Sequence, residues 1–205
     1  MARLHLWRSG VILLLIVAGG VVGLWRREAV ASRQIETLPT YGRVPEFLLV
    51  DQDGRAISLN ELHGRIWVAD FIFTRCAGQC PLMSSRMAEL ASVFQAQPVV
   101  WISFSVDPQW DTPEVLARYA RAYGALPDRW RFVTGDHAAI ERLCQEGFRL
   151  SVDADGGSAQ EPITHSARFV LVDQAGEIRG YYDAQDEAAL VRLQRDLRRL
   201  LAGRS

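Results

Sequence analysis

Residues 70–83 read DFIFTRCAGQCPLM, and they set the architecture of this chain. An apolar, β-rich run ends in them, two cysteines follow four positions apart, and a helical pattern begins at Pro81. Residues four apart lie on one face of a helix, with about 5–6 Å between their Cβ atoms. Even with Cys76 in the loop and only Cys80 in the helix, we expect the two sulfur atoms to meet at one point.

A pair of neighbouring cysteines is compatible with two kinds of chemistry. The N-terminus of a helix favours an anionic group, so Cys76 is expected where a thiolate is stabilised. Two thiolates can bind a soft metal ion, or they can cycle between a dithiol and a disulfide. The pair alone leaves both functions open.

The composition excludes several classes of protein. The chain has 205 residues, 49% of them hydrophobic, and a formal net charge of −1. We therefore expect one domain with a substantial core and an N-terminal appendage, and no nucleic-acid partner. Three cysteines are too few for a scaffold built on disulfides, and no repeat of 20–50 residues indicates a solenoid or propeller.

The N-terminal segment is predicted to lie outside the fold. Residues 1–8 are a short cytoplasmic N-terminus, residues 9–25 an apolar transmembrane signal anchor and residues 26–43 a polar linker. A signal peptide cleaved after Ala31 is the alternative, and the arginine pair at 26–27 favours the anchor.

Both interpretations of this segment place the domain at residues 44–205 outside the cytoplasm. We expect a single-pass protein of the bacterial cytoplasmic (inner) membrane, with the soluble domain facing the periplasm.

The rest of the chain alternates predicted strands and helices. Strands are predicted at residues 47–51, 57–59, 66–73, 99–106, 168–172 and 178–182, and helices at 81–95, 111–123, 136–146 and 186–201. Asp111 is interpreted as the cap of the second helix.

This order of elements predicts an α/β fold with a central mixed sheet flanked by helices. Strand–helix–strand units imply a parallel centre, and the late hairpin closes the sheet in the antiparallel sense. A cysteine pair after the first central strand, at a helix N-terminus, is the thioredoxin-like arrangement. An ordinary thioredoxin has two residues between its cysteines, whereas this chain has three.

His165 lies in the loop before the late strand, which in this topology runs beside the helix that carries the cysteines. Two thiolates and one imidazole form a three-coordinate set for Cu(I), and Cu(II) is a second option. A loop histidine bonded to a carbonyl is the simpler interpretation, but the nearby cysteines favour a ligand. Zinc competes less well, because structural zinc normally has four protein ligands and the sequence offers three.

Three motifs, in order, resemble the Sco/SenC family. They are TRCAGQCP at residues 74–81, SVDPQWDTP at residues 105–113 and THS at residues 164–166. Members of this family are membrane-anchored, thioredoxin-like copper proteins that help to assemble the binuclear copper centre of cytochrome c oxidase. The resemblance covers about residues 44–201.

The resemblance implies that Cys76, Cys80 and His165 bind copper as the cofactor or cargo. Asp107 matches the acidic residue of the family's Asp-Pro motif and is expected near the site, while a turn that ends the strand is its other interpretation. Ala77 departs from the family, which often has proline after the first cysteine, and the departure removes no ligand.

Two hypotheses for the function remain. The first is a copper metallochaperone that delivers the metal to a copper-receiving cytochrome c oxidase subunit. The second is a thiol-disulfide oxidoreductase that reduces the copper-ligand cysteines of that subunit, with Cys76 and Cys80 as its redox-active pair. His165 favours the chaperone, because dithiol exchange does not require an imidazole. Loading then requires reduced cysteines, since a disulfide removes two ligands.

The remaining candidate residues are predicted to be structural. Cys144 lies in a helical, apolar context and is expected in the core. His63 lies in a turn with Gly64 and His137 follows a helix cap, so both are expected in solvent. The aromatic residues on the strand patterns are expected in the core: Trp67, Phe71, Phe73, Trp101 and Phe104.

Overall fold

The computed structural model describes residues 38–150, 152–153, 164–165 and 167–203, and at 152–153 and 164–165 it describes the backbone alone. The predicted anchor and cleavage site lie outside these ranges. Within the described ranges, none of the helices combines the length and the apolar character that crossing a bilayer requires.

Strands and helices alternate along the described chain. The strands are β1 (Gly42–Arg43), β2 (Leu48–Asp51), β3 (Ala56–Ser58), β4 (Ile66–Ile72), β5 (Val99–Ser105), β6 (Trp130–Thr134), β7 (Val152–Asp153), β8 (Thr164–His165), β9 (Arg168–Val172) and β10 (Glu177–Asp183). The helices are α1 (Leu59–Leu62), α2 (Gln79–Val93), α3 (Pro113–Ala122), α4 (His137–Arg142), which continues into a π-helical turn (Leu143–Gly147), and α5 (Glu187–Ala202).

Eight of the strands form one mixed sheet in the order β1-β10-β9-β4-β5-β6-β2-β3. Strands β4, β5 and β6 are parallel neighbours, which the helical crossovers α2 and α3 require. The β9–β10 hairpin joins β4 in the antiparallel sense, and the β2–β3 hairpin joins β6 likewise. The prediction of a parallel centre closed by an antiparallel hairpin is confirmed.

The two central strands are buried at every position, as their continuous apolar runs predict. Strand β6 was not predicted from the sequence. Arg131 interrupts its apolar pattern, and in the fold this residue forms an ion pair with Asp51 of β2 at 2.7 Å. Strand β1 lies within the segment that the sequence suggested as a linker, and it pairs with β10.

The aromatic core lies on both faces of the sheet. The rings of Phe71 and Phe104 stack at 5.2 Å, and Phe148 closes against both of them at 5.2 and 5.8 Å. On the other face, the rings of Trp130 and Phe132 stack at 5.0 Å. All five aromatic residues predicted in the core are buried. The site described below therefore lies on a sheet that is packed with aromatic side chains on both faces.

Candidate metal and thiol site

The site is formed where β4 ends and α2 begins, near the middle of the sheet. Cys76 lies in the connecting loop, and its N–H donates to the carbonyl of Phe73 at 3.2 Å. Cys80 is the second residue of α2, because the helix begins at Gln79, two residues before the predicted start. Pro81 is tolerated there, since the first turn of a helix has no partner for its N–H groups.

The first turn of α2 uses a sulfur atom where most helices use an oxygen cap. The residue before the helix is Gly78, which offers no side chain to accept a hydrogen bond. The N–H of Cys80 donates to the Sγ of Cys76 at 3.4 Å. The positive end of the helix dipole therefore lies beside the Cys76 sulfur.

The two cysteines differ in exposure. Cys76 is 5% exposed, and Cys80 is fully buried. The Sγ of Cys80 accepts the N–H of Phe73 at 3.5 Å. Burial raises the pKa of the Cys80 thiol well above its ordinary value; the Phe73 N–H opposes this rise, and Cys76 and Asp70 add to it. The geometry therefore makes Cys76 the accessible sulfur and Cys80 the protected one.

A buried carboxyl group lies on β4 beneath these sulfurs. Asp70 is fully buried, and within the described chain neither of its oxygens has a hydrogen-bond partner. Burial raises the pKa of Asp70 to about 7, and Ser103, its neighbour in register on β5, offsets only part of the rise. The Oγ of Ser103 also accepts the indole N–H of Trp130 at 2.9 Å. Sequence reasoning did not single out Asp70.

The backbone of His165 lies in β8, a two-residue strand paired with β7 in a separate small sheet. His165 is opposite Val152 in this pairing, and its side chain lies outside the described part of the structure. Its predicted role as third ligand therefore stays a prediction. Among the described side chains, no three His, Cys, Asp or Glu residues converge as a metal site would require. His63 and His137 are exposed, as predicted.

Asp107 lies beside the cysteine loop and also ends the strand before it. Its Oδ2 accepts Nε and Nη2 of Arg75 at 3.0 and 2.5 Å. The Arg75 guanidinium stacks on the ring of Trp110 at 4.8 Å. The carbonyl of Asp107 accepts the N–H groups of Trp110 and Asp111, which forms the turn. Asp107 thus lies near the cysteines and also forms the turn that ends the strand, so its two interpretations are compatible.

Asp111 does not cap α3, so that prediction was wrong. Thr112 is the cap, and its hydroxyl accepts the N–H of Val115 at 3.4 Å. Asp111 turns inward and is fully buried, where Oδ2 accepts the N–H of Thr74 at 3.0 Å and the hydroxyl of Ser105 at 2.5 Å, while Oδ1 accepts the hydroxyl of Thr74. Proline is common directly after a cap, so Thr112 could have been recognised in the sequence.

The described donor set fits a soft metal ion. Two sulfur atoms are adjacent and nearly shielded from water, which suits Cu(I) better than hard cations. A cation between them would favour both thiolates, because opposite charge lowers the pKa of a thiol. The same pair can form a disulfide. Fold and site together define a thioredoxin-like protein with a dithiol site.

The chain belongs to the SCO1/SenC family, whose sequence model matches residues 36–202. It is 36% identical over 158 residues to the SCO1 protein homolog of Bacillus subtilis (strain 168), an alignment that covers 76% of this chain and 80% of that protein. The family predicted from the three motifs is confirmed.

Two solved structures extend the comparison to metal and redox chemistry. BsSco, described as a member of the Sco family of cytochrome c oxidase assembly proteins with a disulfide switch, is similar with a TM-score of 0.71 and 31% identity, covering 80% of this chain and 97% of that one. Bradyrhizobium japonicum ScoI, solved with copper bound, has a TM-score of 0.62 and 25% identity, covering 75% and 98%.

Proposed function

We propose that this protein is a copper metallochaperone. Cys76, Cys80 and His165 bind the metal, and the protein delivers it to the copper-receiving subunit of cytochrome c oxidase during assembly. The observation that carries this proposal is the contact between the two cysteines at the start of α2, where the Cys80 N–H donates to the Cys76 sulfur. The copper bound to ScoI and the oxidase-assembly role stated for BsSco support the choice of metal and partner.

The arrangement suits a protein that releases its metal. Cys80 is fully buried, whereas Cys76 lies at the edge of the core and is 5% exposed. A thiolate of the receiving subunit therefore meets Cys76 first, and ligand exchange begins at that sulfur. Cys80 keeps its contact until the incoming ligands have replaced the others. Transfer of Cu(I) in this order needs no change in oxidation state.

Copper analysis of the purified full chain tests this proposal. We expect one Cu(I) per wild-type chain under reducing conditions. Cys76→Ser and Cys80→Ser should each lose it, because serine does not provide the soft sulfur ligand that Cu(I) prefers. Cys144→Ser is the matched control, since Cys144 is as fully buried as Cys80 and lies elsewhere in the core. Undiminished copper in either of the first two variants would contradict the ligand assignment.

A thiol-disulfide oxidoreductase is the second candidate, and the unequal exposure of the cysteines favours it. The Cys76 thiolate attacks a disulfide of the oxidase subunit and forms a mixed disulfide, releasing one thiolate of the subunit. Cys80 then attacks Cys76, which forms the Cys76–Cys80 disulfide and releases the second thiolate. Two electrons pass from this protein to the subunit, and the protons of the two thiols balance the two thiols that form.

A further inference from the structure

The two residues before Cys76 are each held by an aspartate of the loop that follows β5. The N–H and hydroxyl groups of Thr74 both donate to the carboxylate of Asp111. The guanidinium of Arg75 binds the carboxylate of Asp107. The chain is therefore fixed on the N-terminal side of the first cysteine by contacts with a neighbouring loop.

The two aspartates differ in how strongly they restrain the residues before Cys76. The Arg75 side chain is 45% exposed, and ion pairs in contact with water contribute little. Asp111 is fully buried and accepts hydrogen bonds from Thr74 and from the hydroxyl of Ser105. Hydrogen bonds to a buried charge are strong, and removal of such an acceptor leaves buried donors without a partner. Asp111 is thus the firmer of the two contacts.

Consecutive amide groups connect Asp111 to the second cysteine. The N–H of Phe73 donates to the Sγ of Cys80, and the next N–H, that of Thr74, donates to Asp111. The peptide unit that carries the Thr74 N–H also carries the Phe73 carbonyl, which accepts the N–H of Cys76 at 3.2 Å, so rotation of this peptide disturbs both of these hydrogen bonds. The carboxylate therefore aligns the same stretch of backbone that contacts the Cys80 sulfur.

The other side of Cys76 offers less restraint. Ala77 and Gly78 are exposed, and the contact that follows is the hydrogen bond from the Cys80 N–H to the Cys76 sulfur. The backbone that precedes Cys76 is thus held by side-chain contacts that the exposed Ala77 and Gly78 do not provide.

We propose that Asp111 is a positioning residue of the dithiol site. Through Thr74 it sets where Cys76 lies relative to Cys80, and so it sets how readily the two sulfurs form a disulfide or share a metal ion. The part of this inference that concerns metal rests on the proposed copper function, whereas the part that concerns the disulfide does not.

The variant Asp111→Asn tests the inference in the full-length protein, with Asp196→Asn as the matched control. Asp196 is also a buried aspartate, but it lies on α5 and accepts hydrogen bonds from Tyr182 and Arg195. Each protein is equilibrated with glutathione disulfide, which takes two electrons and two protons from the dithiol and becomes two glutathione thiols. We expect the equilibrium constant for oxidation to fall about tenfold in Asp111→Asn, because a loosened residue must then be ordered. Asp196→Asn should keep the wild-type constant.

The hydroxyl of Thr74 provides a milder pair of variants in case Asp111→Asn fails to fold. Thr74→Ser keeps the donor to Asp111, and Thr74→Val removes it with little change in shape. We expect the serine variant to match the wild type and the valine variant to shift in the direction expected for Asp111→Asn. The sulfur-to-copper charge-transfer absorption of the Cu(II) form should follow the same order.

The inference is overturned if Asp111→Asn and Asp196→Asn have the same equilibrium constant with glutathione. It is also overturned if the valine and serine variants of Thr74 do not differ. A wild-type protein that binds no copper would refute the proposed function instead, and the glutathione equilibrium would still decide the role of Asp111.

Discussion

At the level of single residues, burial controls the protonation of two groups in the site. Burial raises the pKa of Asp70 and of the Cys80 thiol, so both groups favour their neutral forms. Cys76 instead accepts an N–H from a helix terminus. The site thus combines one sulfur at the N-terminus of a helix with one buried thiol that loses its proton when it binds a metal ion or forms a disulfide.

The pKa of Asp70 predicts how stability changes with pH. Its folded-state pKa is about 7 against an ordinary 3.8, so the folded protein binds more protons than the unfolded chain between these values. Stability therefore falls as the pH rises through this window. Asp70→Asn cannot ionise, and relative to the wild type it should gain up to about 4 kcal/mol between pH 4 and pH 8.

Urea unfolding of both proteins at pH 4 and pH 8 measures this difference, and Asp53→Asn, a variant at an exposed position, is the control. An identical offset of Asp70→Asn from the wild type at the two pH values would show that the carboxyl group ionises normally in the fold.

Cys144 is predicted to be a packing residue. It is fully buried in the π-helical turn, and its sulfur lies 3.8 Å from the carbonyl of Leu150. Cys144→Ala should lower the free energy of unfolding by about 1 kcal/mol, because a small buried apolar group is lost. Copper stoichiometry should not change. Loss of copper from this variant under reducing conditions would show that the Cys144 sulfur is also a copper ligand.

At the level of elements, the site depends on two loops that leave neighbouring parallel strands. The loop after β4 carries the cysteines, and the loop after β5 carries Asp107 and Asp111. Because β4 and β5 are parallel, both loops emerge at the same edge of the sheet, where Asp111 can reach Thr74. The stretch around Asp111, which resembles a helix start in the sequence, therefore also contacts the loop that carries the cysteines.

A variant of the α3 cap distinguishes helix capping from support of the thiol site. Thr112 is exposed and caps the helix, whereas Asp111 faces the cysteine loop. Thr112→Ala should cost about 1 kcal/mol of stability through the lost cap. It should leave the glutathione equilibrium of the cysteines at the wild-type value, and thermal unfolding together with that equilibrium checks both statements. A wild-type unfolding temperature would show that Thr112 does not cap the helix.

The sequence predicted elements wherever one local signal was strong. Strands β4 and β5 are continuous apolar runs, and α5 has a long amphipathic pattern behind the Asp186 cap. Prediction from the sequence failed where contacts with residues distant in the chain determine the local structure. Strand β6 accommodates Arg131 because its guanidinium forms an ion pair with Asp51. Asp111 faces inward because Thr74, 37 residues earlier in the chain, presents two donors. Neither pairing has a local signature.

At the level of the whole molecule, the SCO1/SenC family match covers residues 36–202, a range that includes nearly all of the described residues. We propose that residues 9–25 anchor the described domain to the cytoplasmic membrane and that the domain faces the periplasm. Reporter enzymes fused after Ser205 measure this orientation. An alkaline phosphatase fusion should be active, because that enzyme needs an oxidising compartment, and a β-galactosidase fusion should be silent. The reverse pattern would place the domain in the cytoplasm.

Copper delivery and disulfide exchange both need Cys76 and Cys80, so variants of these cysteines do not separate the two functions. His165 does, because an imidazole can bind copper but takes no part in the exchange of electrons between sulfurs. His137→Ala, at an exposed histidine, is the matched control.

The measurement is cytochrome c oxidase activity in cells that carry His165→Ala as their sole copy of this protein. We expect that activity to be lost and to return in part when copper is added to the medium, while the cysteines of the variant still oxidise and reduce reversibly. Normal oxidase activity without added copper would contradict copper delivery as the function, and it would assign this protein to the reduction of the subunit's cysteines.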